Sequence, residues 1–346
     1  IGFIKWQAVP VIVFNILISF LFAKKIEEGD KKQLWFVSAL LLILLQLLGF
    51  KMLGGNISFS FQWIALALGL SFYALQNIAY LVEVKLQNVK PETNILKYAV
   101  YTSFFPKILS GPIVLYPDFK QQIDKLPSFK KENLAEGFNR FLLGAFKKMV
   151  LADRLAPLVS GVFESNEPLH GFTVLFAGFV FTLQVFFDFS AYIDMAIGIA
   201  KMFGFSLPEN LNSPFKAKTI GDFWKRWNIT LMEWLLHYIY LPLSFLLREK
   251  KFLSVLIPTT LTLLFSAVWH GVGLTFMLWA SCHIFYLLLE WKANQKHKKL
   301  PSWLAHFLCL LGVSFANIFF RAQDLEVLGK MMSEIFSFGT FIPNNW

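Results

Sequence analysis

Two side chains in apolar settings are the ones whose types and positions allow chemistry, His270 and Asn228. His270 closes an apolar run in the stretch Ala267-Val-Trp-His-Gly271. An imidazole there can accept a proton from a hydroxyl and return one to a leaving group, because its ordinary pKa lies near neutrality. It can equally hydrogen-bond a carbonyl where two spans meet, beside Gly271 and Gly273, and the residues alone leave both readings open. Asn228 falls within the stripe Phe223, Trp224, Trp227, Leu231, Leu235 and Tyr238, which recurs at helical spacing, with Arg226, Thr230, Glu233 and His237 on the other side. Its amide can donate to a developing oxyanion or join two helices. Lys225 and Arg226 can attract an anionic donor such as a phosphopantetheine or nucleotide phosphate, or snorkel at a cytoplasmic face. Asp188 and Asp194 mark either a polar path or a hydrogen bond to a neighbouring helix.

What is absent narrows the chemistry. The chain has no phosphate-cradling P-loop, no H-E-x-x-H pair and no G-x-S-x-G elbow. Its two cysteines, Cys282 and Cys309, lie in apolar runs without metal-type spacing and read as core thiols. No metal and no bound cofactor are expected. Direct attack of an acceptor hydroxyl on an activated acyl group, with His270 as base, is the simplest acyl chemistry that remains.

The elements that must position these residues are membrane spans. Of 346 residues, 56% are hydrophobic and only 16% charged, against roughly 25% charged in a soluble domain. Several apolar runs approach the roughly 20 residues that cross a bilayer. The formal net charge of +10 does not indicate nucleic acid, because the cations fall in short clusters between apolar runs. Spans are expected at residues 4–23, 34–53, 61–82, 252–270, 274–291 and 303–320. The link 54–60 carries no charge, whereas 24–32 and 85–97 carry lysines, so the former is assigned outside and the latter to the cytoplasm. Residues 95–116, broken by Pro106, Gly111 and Pro112, are expected to form half-helices or a re-entrant element. Residues 137–163 are read as an interfacial helix, and 172–203 as a long span carrying Asp188, Ser190 and Asp194. At Thr219-Ile-Gly-Asp222 a hydroxyl followed by a carboxylate starts the helix that carries Asn228. His297 and His306 sit at loops or span ends, and His283 reads as a buried polar contact within a span. Without a repeat or a low-complexity linker, residues 1–346 are read as a single domain; Ile1 is not a native start, so the N-terminus is expected to be missing.

A set of ordered motifs then carries a resemblance: Phe223-Trp-Lys-Arg-Trp-Asn228, Tyr238-Ile-Tyr-Leu-Pro242 and Trp269-His-Gly271, with Ser103-Phe-Phe-Pro106, Gly111-Pro-Ile113, Phe187-Asp-Phe-Ser190 and Phe319-Phe-Arg-Ala322. Together they resemble the membrane-bound O-acyltransferase family, in the branch of bacterial alginate O-acetyltransferases and teichoic-acid D-alanyltransferases. The resemblance implies an all-α polytopic membrane protein, with re-entrant or half-helices around a central funnel or tunnel. It implies His270 as the catalytic residue and Asn228 in a second active-site role, with Trp224, Lys225, Arg226, Trp227 and Trp269 around the substrates. The co-substrate implied is an acyl thioester, acetyl-CoA or an acyl-carrier phosphopantetheine. The setting implied is the bacterial cytoplasmic (inner) membrane, with membrane lipids, an acyl-carrier protein and an extracytoplasmic acyltransferase as partners. Three positions depart from the branch: Asn228 stands where it usually has His, Leu115 where it has a basic residue, and Leu236-His237 where an Arg-Asp pair is common. A transporter of an acyl donor or glycan precursor, and an acyltransferase acting on a lipid or protein, are the alternative readings.

Overall fold

The computed structural model describes residues 9–56, 69–128, 130–165, 167, 169–295 and 300–336. The expected uncharged link and His297 therefore lie largely or wholly outside the described residues. The described chain is all α-helical, and seven of its helical stretches are long and apolar enough to cross a membrane. By chain contacts it resolves into two compact units, residues 1–141 with 193–208 and residues 142–192 with 209–346. The sequence carries no low-complexity linker at any of the three boundaries.

The first unit contains α1 (Val9–Glu28), α2 (Lys32–Asn56), α3 (Leu70–Lys85), α4 (Ile95–Ser103), α5 (Tyr116–Asp124) and most of α6 (Lys131–Phe146). α1 packs against α2, α3 and α4. Residues 95–116 do not form a straight span. α4 starts on an Asn94 cap, whose side chain accepts from the Leu96 and Lys97 N–H groups, and stops ahead of Pro106. Gly69, at φ 89°, sits against this irregular stretch: a Cβ there would lie 2.1 Å from the Ile108 carbonyl oxygen.

Aromatic rings fill the interior of this unit. Tyr80, Tyr98, Tyr101 and Tyr116 are all buried, with neighbouring ring centroids 4.7–5.8 Å apart. Their hydroxyls find partners, as buried phenols usually do: Tyr98 donates to Asn77 Oδ1 (3.0 Å), Tyr101 to the Val114 carbonyl (3.0 Å) and Tyr116 to Glu92, while Tyr80 accepts from the Glu92 N–H (2.9 Å). Lys107, fully buried, donates to Gln76 with its ammonium 4.4 Å from the Tyr101 ring centroid and 5.0 Å from that of Phe119. Burial alone would raise the Glu92 carboxyl. Hydrogen bonds from Lys120, Tyr116 and the Asn94 N–H outweigh it and hold the group at about 2.

α8 (Gly171–Met202) runs unbroken through Asp188, Ser190 and Asp194. In the first unit Arg140 pairs with Asp194 at 3.1 Å. There α6 and α8 cross at Gly137 and Gly198, where a Cβ on either would come within 2.6 Å of the other's carbonyl oxygen. In the second unit a π-helical turn (Lys147–Ala152) leads into α7 (Asp153–Phe163). Here Lys147 donates to Ser190 (2.9 Å), and Lys148 pairs with Asp188 (2.6 Å) and Asp153 (2.9 Å). Every polar group expected along the long span is thus matched by a side chain from the 137–163 segment.

The second unit continues with α9 (Ile220–Arg226), α10 (Ile229–Leu235), a second π-helical turn (Leu236–Tyr240) and α11 (Leu241–Leu246). Then follow α12 (Leu253–His270), α13 (Leu274–Gln295), α14 (Ser302–Arg321) and α15 (Leu325–Phe336). Val159, Phe163, Val174, Phe181, Ile318 and Met331 bring α7, α8, α14 and α15 onto one core. Arg321 at the end of α14 pairs with Glu164 at 2.9 Å.

Candidate active site

Asn228 is positioned by a break in the helix. Thr219 caps α9 as expected, its hydroxyl accepting from the Asp222 N–H at 3.1 Å. The Asp222 carboxylate accepts from Arg226 Nε (2.8 Å), one turn along the same helix. The helix does not continue through Asn228. Trp227 is extended and Asn228 is left-handed (φ 47°, ψ 54°), a conformation that Asn tolerates better than most residues.

The reason is a competing strand-like partner. Residues 210–212 lie alongside, with the Asn212 N–H donating to the Arg226 carbonyl (2.9 Å) and the Ile229 N–H to the Asn210 carbonyl (3.0 Å). Asn210, fully buried, accepts through Oδ1 from the Thr230 N–H and hydroxyl (2.8 and 3.0 Å) and donates from Nδ2 to Asn228 Oδ1 (3.1 Å). Two expectations are corrected here. Asn228 terminates one helix and opens another instead of sitting inside a continuous stripe. Thr230, expected on the polar face, is buried because the break shifts the helical phase; Glu233 and His237, further on, are exposed. With its Oδ1 engaged by Asn210, Asn228 has Nδ2 as the atom that can donate to a ligand.

His270 is the last residue of α12. Glycine at the next position lets the Phe276 ring close against the helix end, since a Cβ on Gly271 would fall 2.3 Å from that ring and force it to shift. The imidazole, half-buried, meets three rings edge to face: Trp269 at 4.7 Å, Phe320 at 5.0 Å and Trp279 at 5.4 Å between centroids. They come from α12, α14 and α13.

A continuous aromatic wall then leads from His270 to Asn228. Trp279 meets Trp224 at 5.8 Å, Trp224 meets Phe223 at 5.5 Å, and Phe223 stacks on Trp227 at 5.8 Å, next to Asn228 in the chain. Of the residues named from sequence, Trp224, Trp227, Trp269, His270 and Asn228 all belong to this wall or adjoin it. Lys225 is exposed, and the Arg226 guanidinium is held by Asp222 and by the Asn212 carbonyl (3.4 Å).

Two members of the wall were missed or undervalued in the sequence. Trp279 separates His270 from His283, and His283, 1% exposed, touches both Trp279 (5.2 Å) and Trp224 (5.0 Å). His283 Nδ1 and Trp224 Nε1 are buried without a hydrogen-bond partner among the described residues. The available signal was the four-residue spacing of Trp279 and His283 on α13, which places both on the face next to His270.

Comparison with known proteins finds relatives over most of this chain. Over 280 residues, 80% of this chain and 55% of the relative, it is 33% identical to the probable alginate O-acetylase AlgI of Azotobacter vinelandii. It is 32% identical to the peptidoglycan O-acetyltransferase of Helicobacter pylori over 93% of this chain and 69% of that protein. Identity to the teichoic acid D-alanyltransferase of Bacillus subtilis is 26%, over 70% of this chain and 66% of that protein. The chain spans about half the length of the alginate relatives it matches. Residues 18–329 match the model of the membrane-bound O-acyltransferase family, and with both the His270 slot and the Asn228 break inside that match, the chain belongs to this family.

Proposed function

We propose that this protein transfers an acyl group, most simply acetyl, from a thioester donor to a hydroxyl acceptor, for the modification of a cell-envelope polysaccharide. The observation that carries the reading is the His270 slot: one imidazole at a helix end, hemmed edge-on by three aromatic rings, one of which, Trp279, begins the row of rings that runs to Trp227 beside Asn228. A ring nitrogen of His270 takes the proton of the acceptor hydroxyl as its oxygen attacks the thioester carbonyl carbon. Asn228 Nδ2 donates to the oxyanion that forms. As the C–S bond breaks, the imidazolium returns the proton to the departing sulfur, leaving an ester and a free thiol. The names of the alginate and peptidoglycan relatives support a polysaccharide acceptor and an acetyl group. Acetyl-CoA or a carrier-bound phosphopantetheine supplies the thioester, and an extracytoplasmic acyltransferase can receive the product at the bacterial inner membrane.

The transporter reading draws no support from Asp188 and Asp194, whose charges are matched by Lys148 and Arg140. The test is His270→Ala, assayed with a labelled acetyl thioester in membranes. Transfer should fall on the order of 10² to 10⁴-fold, the usual contribution of a general acid–base, while insertion and the detergent elution profile stay unchanged. Wild-type acylation by a correctly inserted variant removes His270 from the mechanism.

A further inference from the structure

The geometry points to a second binding site, unrelated to acyl transfer, that takes the phosphodiester headgroup of an anionic phospholipid at the ends of α1, α2 and α3. A cavity of about 250 Å³ opens there, lined by Lys32, Lys85 and Lys90 with Glu27 and Gln87, and walled on its apolar side by Ile26, Val84 and Val89. Three cations against one carboxylate leave this wall with a net formal charge of +2.

These lysines differ from others nearby. Lys97 and Lys120, on α4 and α5, pair with Asp124 (2.6 Å) and Glu92 (2.5 Å). Lys32, Lys85 and Lys90 form no ion pair among the described residues. Lys24 and Lys25, one turn back on α1, are drawn instead over the Phe20 and Trp35 rings (4.7 and 4.1 Å). Of the other acids nearby, Glu28 and Asp30 share the α1–α2 turn but do not line the cavity, and Glu83 accepts from Asn88 (2.8 Å).

Position and size select the ligand. Glu27 and Lys32 flank the junction between two candidate spans, so the cavity lies where helices leave the hydrocarbon. Basic pockets between spans at such a level hold anionic headgroups. The volume falls below the roughly 300 to 1,000 Å³ of drug-sized ligand pockets, which favours a headgroup over a whole nucleotide thioester. Ammonium groups meet the phosphodiester, and the Ile26, Val84 and Val89 wall meets the glycerol and first acyl carbons.

The test is native mass spectrometry and thermal unfolding of the intact protein in nanodiscs of phosphatidylglycerol or phosphatidylcholine, with inorganic phosphate and free CoA as soluble arms. Wild type should retain phosphatidylglycerol and melt at a higher temperature in it than in phosphatidylcholine. At about fivefold per lysine, Lys32→Gln/Lys85→Gln/Lys90→Gln should lose on the order of a hundredfold in headgroup affinity. The control Lys250→Gln/Lys251→Gln should lose none. Glu27→Gln should bind tighter than wild type, a gain that misfolding cannot mimic. Retention by the triple variant equal to the control overturns the site. Lysine-dependent binding of CoA or phosphate that displaces no lipid overturns the lipid assignment.

Discussion

At Asn228 one atom is set by the backbone and the other by chemistry. The left-handed turn is fixed by the pairing of residues 210–212 with 226–229, and Oδ1 is engaged by Asn210. Replacement by glycine therefore removes the amide but keeps the turn, whereas alanine removes the amide and adds the cost of a left-handed Cβ, about 1–2 kcal/mol. Both variants should lose on the order of 10² to 10³ in kcat, the reported effect of deleting one oxyanion donor. Their stabilities should rank opposite to the order in an ordinary helix, where alanine is favoured over glycine by about 1 kcal/mol. Thermal unfolding in detergent decides the point: Asn228→Ala outlasting Asn228→Gly would mean a continuous helix through this position. That this position carries an amide among aromatic residues was legible in the sequence. The turn that aims it was not, because it depends on a segment arriving from residues 210–212, which periodicity over 219–238 does not register.

At the scale of elements, the connector between α3 and α4 is tied to α5 by one carboxylate. Glu92 receives Lys120 from α5 at 2.5 Å, Tyr116 from the start of α5, and the Thr93 and Asn94 N–H groups at 2.8 Å. Its folded pKa, about 2, lies below the ordinary carboxyl value near 4.5. A depressed carboxyl stabilises the fold fully above the unfolded pKa, and that stabilisation is lost as pH falls toward 2. The melting temperature of wild type should therefore drop between pH 4.5 and 2 by more than that of Glu92→Gln, which starts lower and lacks this titration. Parallel curves over that window would show that the carboxylate contributes nothing. From sequence this stretch showed only a basic connector followed by a Pro- and Gly-broken run. That the run is irregular followed from Pro106, Gly111 and Pro112. That its interior is a cluster of hydrogen-bonded tyrosines did not, because phenol partners such as Asn77 and the Val114 carbonyl come from distant positions.

At the scale of the whole molecule, the helices constrain how the chain threads the membrane. Arg321 at the end of α14 pairs with Glu164, just ahead of α8, so these two ends share one side of the bilayer. Following α14, α13 and α12 backward as three crossings places the end of α13 and the start of α12 on the opposite side. The Gly221 N–H, 3.1 Å from Glu290 near that end of α13, puts the start of α9 there too. The stretch Ile229–Leu246, though apolar enough to span, must then begin and end on the same side. The contacts trace a re-entrant path. The Gly221 N–H meets Glu290 (3.1 Å), and Trp224 then meets His283, about 10 Å further along α13 at 1.5 Å per residue. Trp234 stacks on Phe265, about 18 Å along α12 from its start, and α11 runs back beside α12. The break at Trp227–Asn228 thus lies within the membrane, where irregular backbone survives only when buried in protein or lining a wet cavity. By the positive-inside rule, the basic residues at 216–218 and 248–251 predict that the shared side is cytoplasmic. Single cysteines at Lys218→Cys and Glu249→Cys, with Cys282 and Cys309 replaced by alanine, should both react with an impermeant maleimide only from the cytoplasmic face, and Glu326→Cys only from the other. Labelling of residues 218 and 249 from opposite faces would make Ile229–Leu246 a true crossing and remove Asn228 from the re-entrant path that brings it toward His270.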